Sequence, residues 1–598
     1  MAKVMKYIYL LLILSISISC SSVEEQAITH GPILGRLAET EIGVWARTLR
    51  QGSFYVRYGT DKDHLDNVFG PVFTELKRDN SGWAHIKNLK ANTKYYYAVC
   101  ASATSKSLRE HQGSFRTLPR KQQMIHPTHN PKGLFNFSFE FGCGNSQEGG
   151  SSPEAFGVMV NELDDRIHFA ILNGDWLYEN KRDYTVEAWK EQVGISGEPP
   201  RIVGLAPSIV GVWENYKHYL SSSKDLAAWH REIPSFFIYD DHEILNDITG
   251  TGTIGLKNNE MTVFRDIGVR AWYDYIGWSN PISFKQKNHF GRAQLQIDND
   301  VLVDNEADFT SLNLDEMSTL LVHWEAKNNG VYGVTEVLGE NKIRITPKPT
   351  TSEKVVYSIG RRSYFKKTVS NAEFFVTDTR GHRQMHDIKK PFQPGVSMLG
   401  KKQKFWLKKH MKESDADFLF VVSTVNLMVP HVQVKSRMHL KEYFKNKDEA
   451  WTAIAAEREE LIKFWDSLGK PVFVLTGDLH NSFVVKISDN VYEFASGPHS
   501  SINHTLEHES YRPANGNFKS RGRSSEILWS TFLHNDIENI VRKRPNYCVV
   551  KVNNTFRQPV KEGVDVWAAY PKPQVIFQYY DGLNGELLYA QSFQGVGK

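Results

Sequence analysis

The sequence predicts a layered α/β domain, α/β or α/β/β/α, behind an all-β sandwich module and carrying a β-rich insertion. Three observations carry this. Residues 28–118 show period-two alternation and turns with no helical stretch. From residue 133 onward, apolar strand-like runs alternate with helical stretches. Residues 280–360 break that rhythm with short strand-like runs only.

The elements follow in order. The first 20 residues read as a targeting segment: Lys3 and Lys6 form a basic start, and Tyr7–Ile18 is apolar but short for a membrane span. It ends in Ser17-Ile18-Ser19-Cys20-Ser21-Ser22, which resembles a bacterial lipoprotein signal with Cys20 as the acylated first residue; an ordinary cleaved signal peptide is the alternative. Ser21–Ala27 is then a tether. The expected location is a bacterial cell envelope, lipid-anchored on the periplasmic side or at the surface. The chain has four cysteines in 598 residues, too few for a disulfide scaffold. Cys100 and Cys548 lie in strand-like runs and read as small buried residues, whereas Cys143 sits in a Gly-flanked turn where a thiolate can reach a metal. Net charge is +4 with both signs interspersed, so charge makes no case for nucleic acid or for a polybasic membrane surface.

Within 28–118, Ile42–Arg47 and Phe54–Gly59 alternate, and Leu89–Val99 and Gly113–Leu118 close a small sandwich whose L…T…Y-x-Y pattern is similar to fibronectin type III-like modules. Residues 119–132 form a linker, and 133–598 the second domain. Its candidate helices are Pro153–Arg166, Trp213–Glu232, Glu260–Ile276, Lys401–Lys412 and Asp448–Leu468. The insertion at 280–360 either shapes a cleft or caps an edge; the sequence does not choose.

Five chemically loaded motifs each follow an apolar run. Phe135–Phe141 leads to Gly142-Cys143-Gly144-Asn145, and Phe169–Leu172 leads to Asn173-Gly174-Asp175-Trp176-Leu177-Tyr178-Glu179. Phe236–Tyr239 leads to Asp240-Asp241-His242-Glu243, Phe374–Thr377 to Asp378-Thr379-Arg380, and Val472–Thr476 to Gly477-Asp478-Leu479-His480. Ligands bind outside the carboxyl ends of open α/β strands. If the strands share one sheet, a thiol, a phenol, carboxylates and imidazoles meet on one rim, as a metal-dependent hydrolase requires. Asp175 and Tyr178 face one way if their turn starts a helix; a cap and a packed ring are the plainer reading. Three adjacent carboxylates after Tyr239 repel unless cations or solvent screen them. His242 beside a metal-bound Asp241 stands where a leaving group takes a proton, and Asn246 can add an amide oxygen. Asp478 and His480 share a side of an extended chain. Arg380 can clamp phosphate or serve an ion pair with Asp378 or Glu373.

In this order the motifs, with His30–Gly35 and Met398–Leu407, closely resemble the PhoD-like alkaline phosphatase family over about residues 28–595. The resemblance implies a catalytic domain of the calcineurin-like metallophosphoesterase type behind the sandwich module. It implies Fe(III) on Cys143, Asp175 and Tyr178, with Asp175 bridging to a divalent ion, commonly Ca(II), other divalent metals being possible. Asp241, Asn246, Asp378, Asp478 and His480 are the candidates for the remaining ligands. Gly142 replaces the family's usual Ser and Thr377 its usual Leu, and neither change removes a ligand. The implied reaction is hydrolysis of small phosphate monoesters by a metal-bound water or hydroxide, with His242 and Arg380 as catalytic groups. Diester or phospholipase D-like activity, and a non-catalytic surface binding protein, are the alternatives.

Overall fold

In the computed structural model, the described residues are 27–146, 154–163, 165–257, 261–281, 287–432, 447–535, 543–559 and 565–595. The targeting segment, Cys20 and the tether up to residue 26 lie outside them. Among the described residues no helix is long and apolar enough to cross a membrane.

Seven strands between Ile28 and Arg116 form a three-stranded and a four-stranded antiparallel sheet. Fully buried Trp45, Phe54 and Val56 are part of the core they share with the second domain. A buried charge cluster joins the two parts. Asp79 accepts from Arg47 Nε and Nη2 at 3.1 and 3.2 Å, and from Trp189 Nε1 at 2.8 Å and the Tyr275 hydroxyl at 2.5 Å. Lys217 Nζ lies 3.2 Å away. Burial opposes the Asp79 charge, but Arg47 and Lys217 outweigh it and hold the carboxyl well below its usual range. Removing one partner of such a pair strands a buried charge. Arg47→Ala is therefore expected to cost about 3–5 kcal/mol, read as a lower urea midpoint.

From Phe137 onward the chain is mixed α/β. The five motif-bearing strands do not share one sheet. Phe137–Gly142, Phe169–Asn173 and Ser235–Ile238 run parallel in a six-stranded sheet. Ala372–Val376, Phe418–Val422, Val472–Thr476 and Val491–Ala495 run parallel in an eight-stranded sheet. Strands covered on both faces need continuous apolar runs, and these supply them, being buried along their whole length apart from Tyr492. The two sheets pack on each other through phenylalanines. Phe139 meets Phe374 at 5.0 Å and Phe420 at 5.4 Å, and Phe494 stacks on Phe577 at 3.6 Å. Phe141, Phe139 and Phe137 belong to this aromatic core, which accounts for the FNFSFEF run.

The helices differ from expectation in detail. The stretch 213–232 is two helices, Ile209–Ser222 and Lys224–Glu232, because the Ser223 hydroxyl caps the second by accepting from Leu226 N at 2.9 Å. Asp448–Leu468 begins with a 3-10 turn, Trp451–Ile454, and becomes α-helical only over Ala455–Ser467. The insertion is a closed six-stranded barrel running from His289 to Arg361, with its own core around Leu295, Leu320, Ile343 and Tyr357.

Candidate metal centre

The carboxyl ends of both parallel runs point to the same place. Asp175 leaves Phe169–Asn173, Asp240 and Asp241 leave Ser235–Ile238, and Asp478 leaves Val472–Thr476. Each of these four carboxylates offers an oxygen within 4.8 Å of the others, and all are buried. Three further groups overlap with it: Asp175–Asp241–His242, His431–Glu449–Asp478 and Asp241–Asp247–Glu449.

The local backbone is built for this. Asp175, Asp247, Asp478 and His480 have positive φ angles of 54, 61, 68 and 49°. Asp and His enter this left-handed region more readily than most residues, and four such positions gathered around one cluster match the backbone strain that functional sites concentrate. Buried Glu243 supplies part of that constraint, accepting from the backbone N–H groups of Asp175, Trp176 and Asp240 at 3.2, 2.5 and 2.8 Å. Gly477 is a close approach: a Cβ there would lie 2.7 Å from Cys143 Sγ.

Tyr178, Asp175 and His480 converge. The Tyr178 hydroxyl lies 2.7 Å from His480 Nε2 and 2.9 Å from Ser501 Oγ, and His480 Nε2 lies 3.1 Å from Asp175 Oδ2. His480 Nδ1 sits 3.0 Å from the Ile502 carbonyl, which accepts only from Nδ1–H. That leaves the Nε2 lone pair facing Asp175, the orientation a ligating imidazole takes. Burial pulls the His480 pKa down to about 3, so the ring is neutral, as ligation demands. Asp175 Oδ1 is buried without a hydrogen-bond partner.

The electrostatics call for cations. Burial, reinforced by Asp241 and Asp240, pushes the Asp175 carboxyl well above its usual range. Burial likewise lifts Asp241 to about 6, against Arg380; Asp247 to about 7, with help from Glu449; and Asp478 to about 8, with help from Asp240 and Glu449. These carboxylates cannot all ionise in a desolvated site unless positive charge joins them. The donor set fits metal ions: carboxylates and a phenol for hard cations, with the buried Cys143 thiol beside Asp175 and Asp478 as a softer ligand.

Of the residues the sequence singled out, Cys143, Asp175, Tyr178, Asp241, His242, Asp478 and His480 come together. Asp378 does not join them. Its carboxylate accepts from the Tyr239 hydroxyl at 2.5 Å and from the N–H groups of Arg380 and Gly381 at 3.1 and 2.6 Å, so it organises its own turn. Asn246 is exposed, and its backbone N–H donates to Glu179 Oε1 at 2.7 Å. Arg380 is fully buried and takes the ion-pair alternative, though with other partners: Nε and Nη2 donate to Asp240 at 2.6 and 2.8 Å, and Nη1 lies 2.8 Å from Glu449. Its fork is spent on Asp240, so it neutralises the cluster rather than facing a cleft.

Four residues had no assigned role in the sequence reading. Asp240 stood inside a motif, and Asp247 lies a short step beyond it. His431, whose Nδ1 is 2.9 Å from Asp478 Oδ2, and Glu449 lie far along the chain in segments without a local signal; only the fold brings them in.

No curated protein matches the chain. The solved structure of PhoD is similar over 94% of this chain and 92% of that one, at 15% identity and a TM-score of 0.53, which shows a shared fold. The sensor domain of the anti-sigma factor RsgI4 from Pseudobacteroides cellulosolvens overlaps 17% of this chain and 100% of its own at 19% identity, with a TM-score of 0.13 that carries no argument. A family model described as PhoD-like phosphatase matches residues 137–301 and 353–534, which include Cys143, Asp175, Tyr178, Asp241, Asp378, Asp478 and His480 but not His30–Gly35. The chain belongs to the PhoD-like phosphatase family and is a phosphoesterase.

Proposed function

We propose that this phosphoesterase hydrolyses small phosphate monoesters at the Asp175–Asp241–Asp478 cluster, using Fe(III) together with Ca(II) or another divalent ion. The observation that carries the reading is the buried crowd of carboxylates around the unpartnered Asp175 Oδ1, beside the Tyr178 phenol and the Nε2 of His480 that faces Asp175. Cys143, Asp175 and Tyr178 would hold the iron; Asp241, Asp478 and His480 are the nearest candidates for the remaining positions, with Asn246 and Asp378 outside the cluster. Bound cations supply Lewis acidity toward water and the phosphoryl oxygens. The chain's own residues do the rest. Arg380 balances Asp240 inside the site. His242 is the group placed for the leaving oxygen: Nδ1 is 2.8 Å from Glu179 Oε2, its ring lies 4.0 Å from that of Tyr178, and its side chain is 17% exposed. Burial works against its charge, but Asp241, Glu179 and Asp175 outweigh burial and hold its pKa well above the ordinary value. Glu179, which lies on Nδ1, would keep the ring oriented, and an imidazolium held in this way would be a competent general acid.

Export and acylation at Cys20 belong to the same proposal, and they rest on residues 1–22. Two mixed sheets packed through Phe139–Phe374 and Phe494–Phe577 support a layered catalytic domain of the metallophosphoesterase type.

Elemental analysis, run beside hydrolysis of p-nitrophenyl phosphate and bis-p-nitrophenyl phosphate, tests the reading. Iron with a divalent ion, and faster monoester turnover, are expected. A Tyr178 phenolate on Fe(III) would give the protein a visible charge-transfer band, and Tyr178→Phe is expected to abolish the phenolate band. Colourless, active protein containing zinc alone would remove the iron assignment. Faster diester turnover would move the substrate class.

A further inference from the structure

The barrel between His289 and Arg361 lies mostly outside the family match, which omits residues 302–352. It is tied to the metal centre by a continuous set of buried polar contacts. On the strand Met317–Val322, Thr319 is 9% exposed. Its hydroxyl donates to the Thr251 carbonyl at 2.7 Å, and the Thr251 hydroxyl donates to the Arg380 carbonyl at 2.6 Å. Arg265, buried on the helix Phe264–Tyr275, sits at the junction. Its Nη1 donates to Thr319 Oγ1 at 2.5 Å, to the Thr251 carbonyl at 3.3 Å and to the Gly381 carbonyl at 3.4 Å, and its Nη2 donates to the Thr319 carbonyl at 2.9 Å. Asp266 fixes the guanidinium at 2.8 and 2.9 Å and accepts from barrel Ser358 Oγ at 2.6 Å.

A second tie lies farther along the same loop. Gly255 N donates to the Val331 carbonyl at 2.8 Å, and Val331 N donates to the Leu256 carbonyl at 2.9 Å. Gly330, at φ 147°, lets the two backbones touch: an added Cβ would collide with the Leu256 carbonyl. The loop held in this way, between the strand Ser235–Ile238 and the helix Phe264–Tyr275, carries Asp247, one of the clustered carboxylates, and is stitched to the Arg380 turn by Gly252 N on the Arg383 carbonyl at 2.9 Å.

We infer that the barrel is a positioning element for the phosphoesterase site, acting through Thr319 and Arg265 on the loops that carry Asp247 and Arg380. An edge cap would need no buried hydrogen bonds to those loops. A cleft wall would touch substrate rather than the backbone beneath the metal cluster. Hydrogen-bonded networks of this kind hold backbone groups in one arrangement, and an unpaired member costs the arrangement its definition. The inference rests on the proposed site, so its test has one arm that does not depend on catalysis.

The test compares Thr319→Val with Thr319→Ser in the full chain. The valine keeps volume and removes the hydroxyl, and the serine restores it. For the valine variant, kcat on p-nitrophenyl phosphate is expected to fall about tenfold, with KM little changed and metal content retained. The serine variant should recover most of the loss. Hydrogen exchange should show faster exchange at Gly252, Gly255 and Gly381 in the valine variant, with the barrel's own strands still protected. Arg344→Ala, which breaks half-exposed pairs to Asp300 and Glu336 elsewhere on the barrel, should change neither readout. Unaltered exchange at those glycines would overturn the inference whatever the activity. So would equal losses in Thr319→Val and Arg344→Ala, which would mark general destabilisation. A wild-type protein inactive on every phosphoester would instead refute the proposed function, while the exchange result would still decide the barrel's role.

Discussion

Asp175→Ala is expected to lower bound metal below one equivalent and to reduce phosphomonoester turnover by roughly 10³-fold or more, a loss of several kcal/mol of transition-state stabilisation. The reason is its place in the cluster. Oδ2 lies 3.1 Å from His480 Nε2 and 3.4 Å from the Tyr178 hydroxyl, while Oδ1 is buried without a partner. One carboxylate thus offers oxygens in two directions and would suit cations held on both sides. Asp175→Asn keeps the shape and loses the charge, and it should fall between alanine and wild type in metal content. Stability should move the opposite way in chelator-treated protein. Burial raises the Asp175 pKa in the folded state, so above the ordinary carboxylate range the folded protein binds more protons than the unfolded one. Stability of the metal-free protein therefore falls as pH rises through that window. Asp175→Ala removes this liability, and its denaturation midpoint should be less sensitive to pH than that of metal-free wild type. Full metal content in Asp175→Ala would remove the bridging role.

The second large effect concerns proton delivery. His242→Ala is expected to keep its metals and lose turnover by about 10²–10⁴-fold on alkyl phosphates. One ring nitrogen is committed to Glu179, and the other is left for a substrate oxygen. The loss should shrink on p-nitrophenyl phosphate, whose leaving group departs without a proton. A plot of log kcat against leaving-group pKa should be steeper for the variant than for wild type. Parallel lines would sink the acid role. Metal loss in the variant would make His242 a ligand, a reading kept open by its nearness to Asp175 and Asp241.

The motifs were legible because strand and ligand are adjacent in the chain. Apolar runs such as Val472–Thr476 lie inside the sheets, and the polar residues that follow emerge at their carboxyl ends. The helical break at Ser223 does leave a local trace, because the polar stretch Ser221-Ser222-Ser223-Lys224-Asp225 interrupts the apolar period; one capping hydroxyl then sets where the second helix starts. Arg380 was legible as an ion-pair candidate, yet not its partner. Asp240 lies 140 residues away, on the other sheet, and nothing in the local sequence marks the pairing.

By itself, then, the sequence determined the strand-then-ligand order, the residue types of the centre and the mixed α/β class. Each follows from periodicity and chemistry within a few neighbouring residues. Only the tertiary structure decided that two sheets rather than one supply the rim, that His431 and Glu449 join it, and that Asp378 is spent on its own turn. It alone closed the insertion into a barrel and ran Thr319 to Thr251. These outcomes turn on desolvation and long-range pairing. A carboxylate's role is set by what packs around it, and that is absent from the chain until it folds.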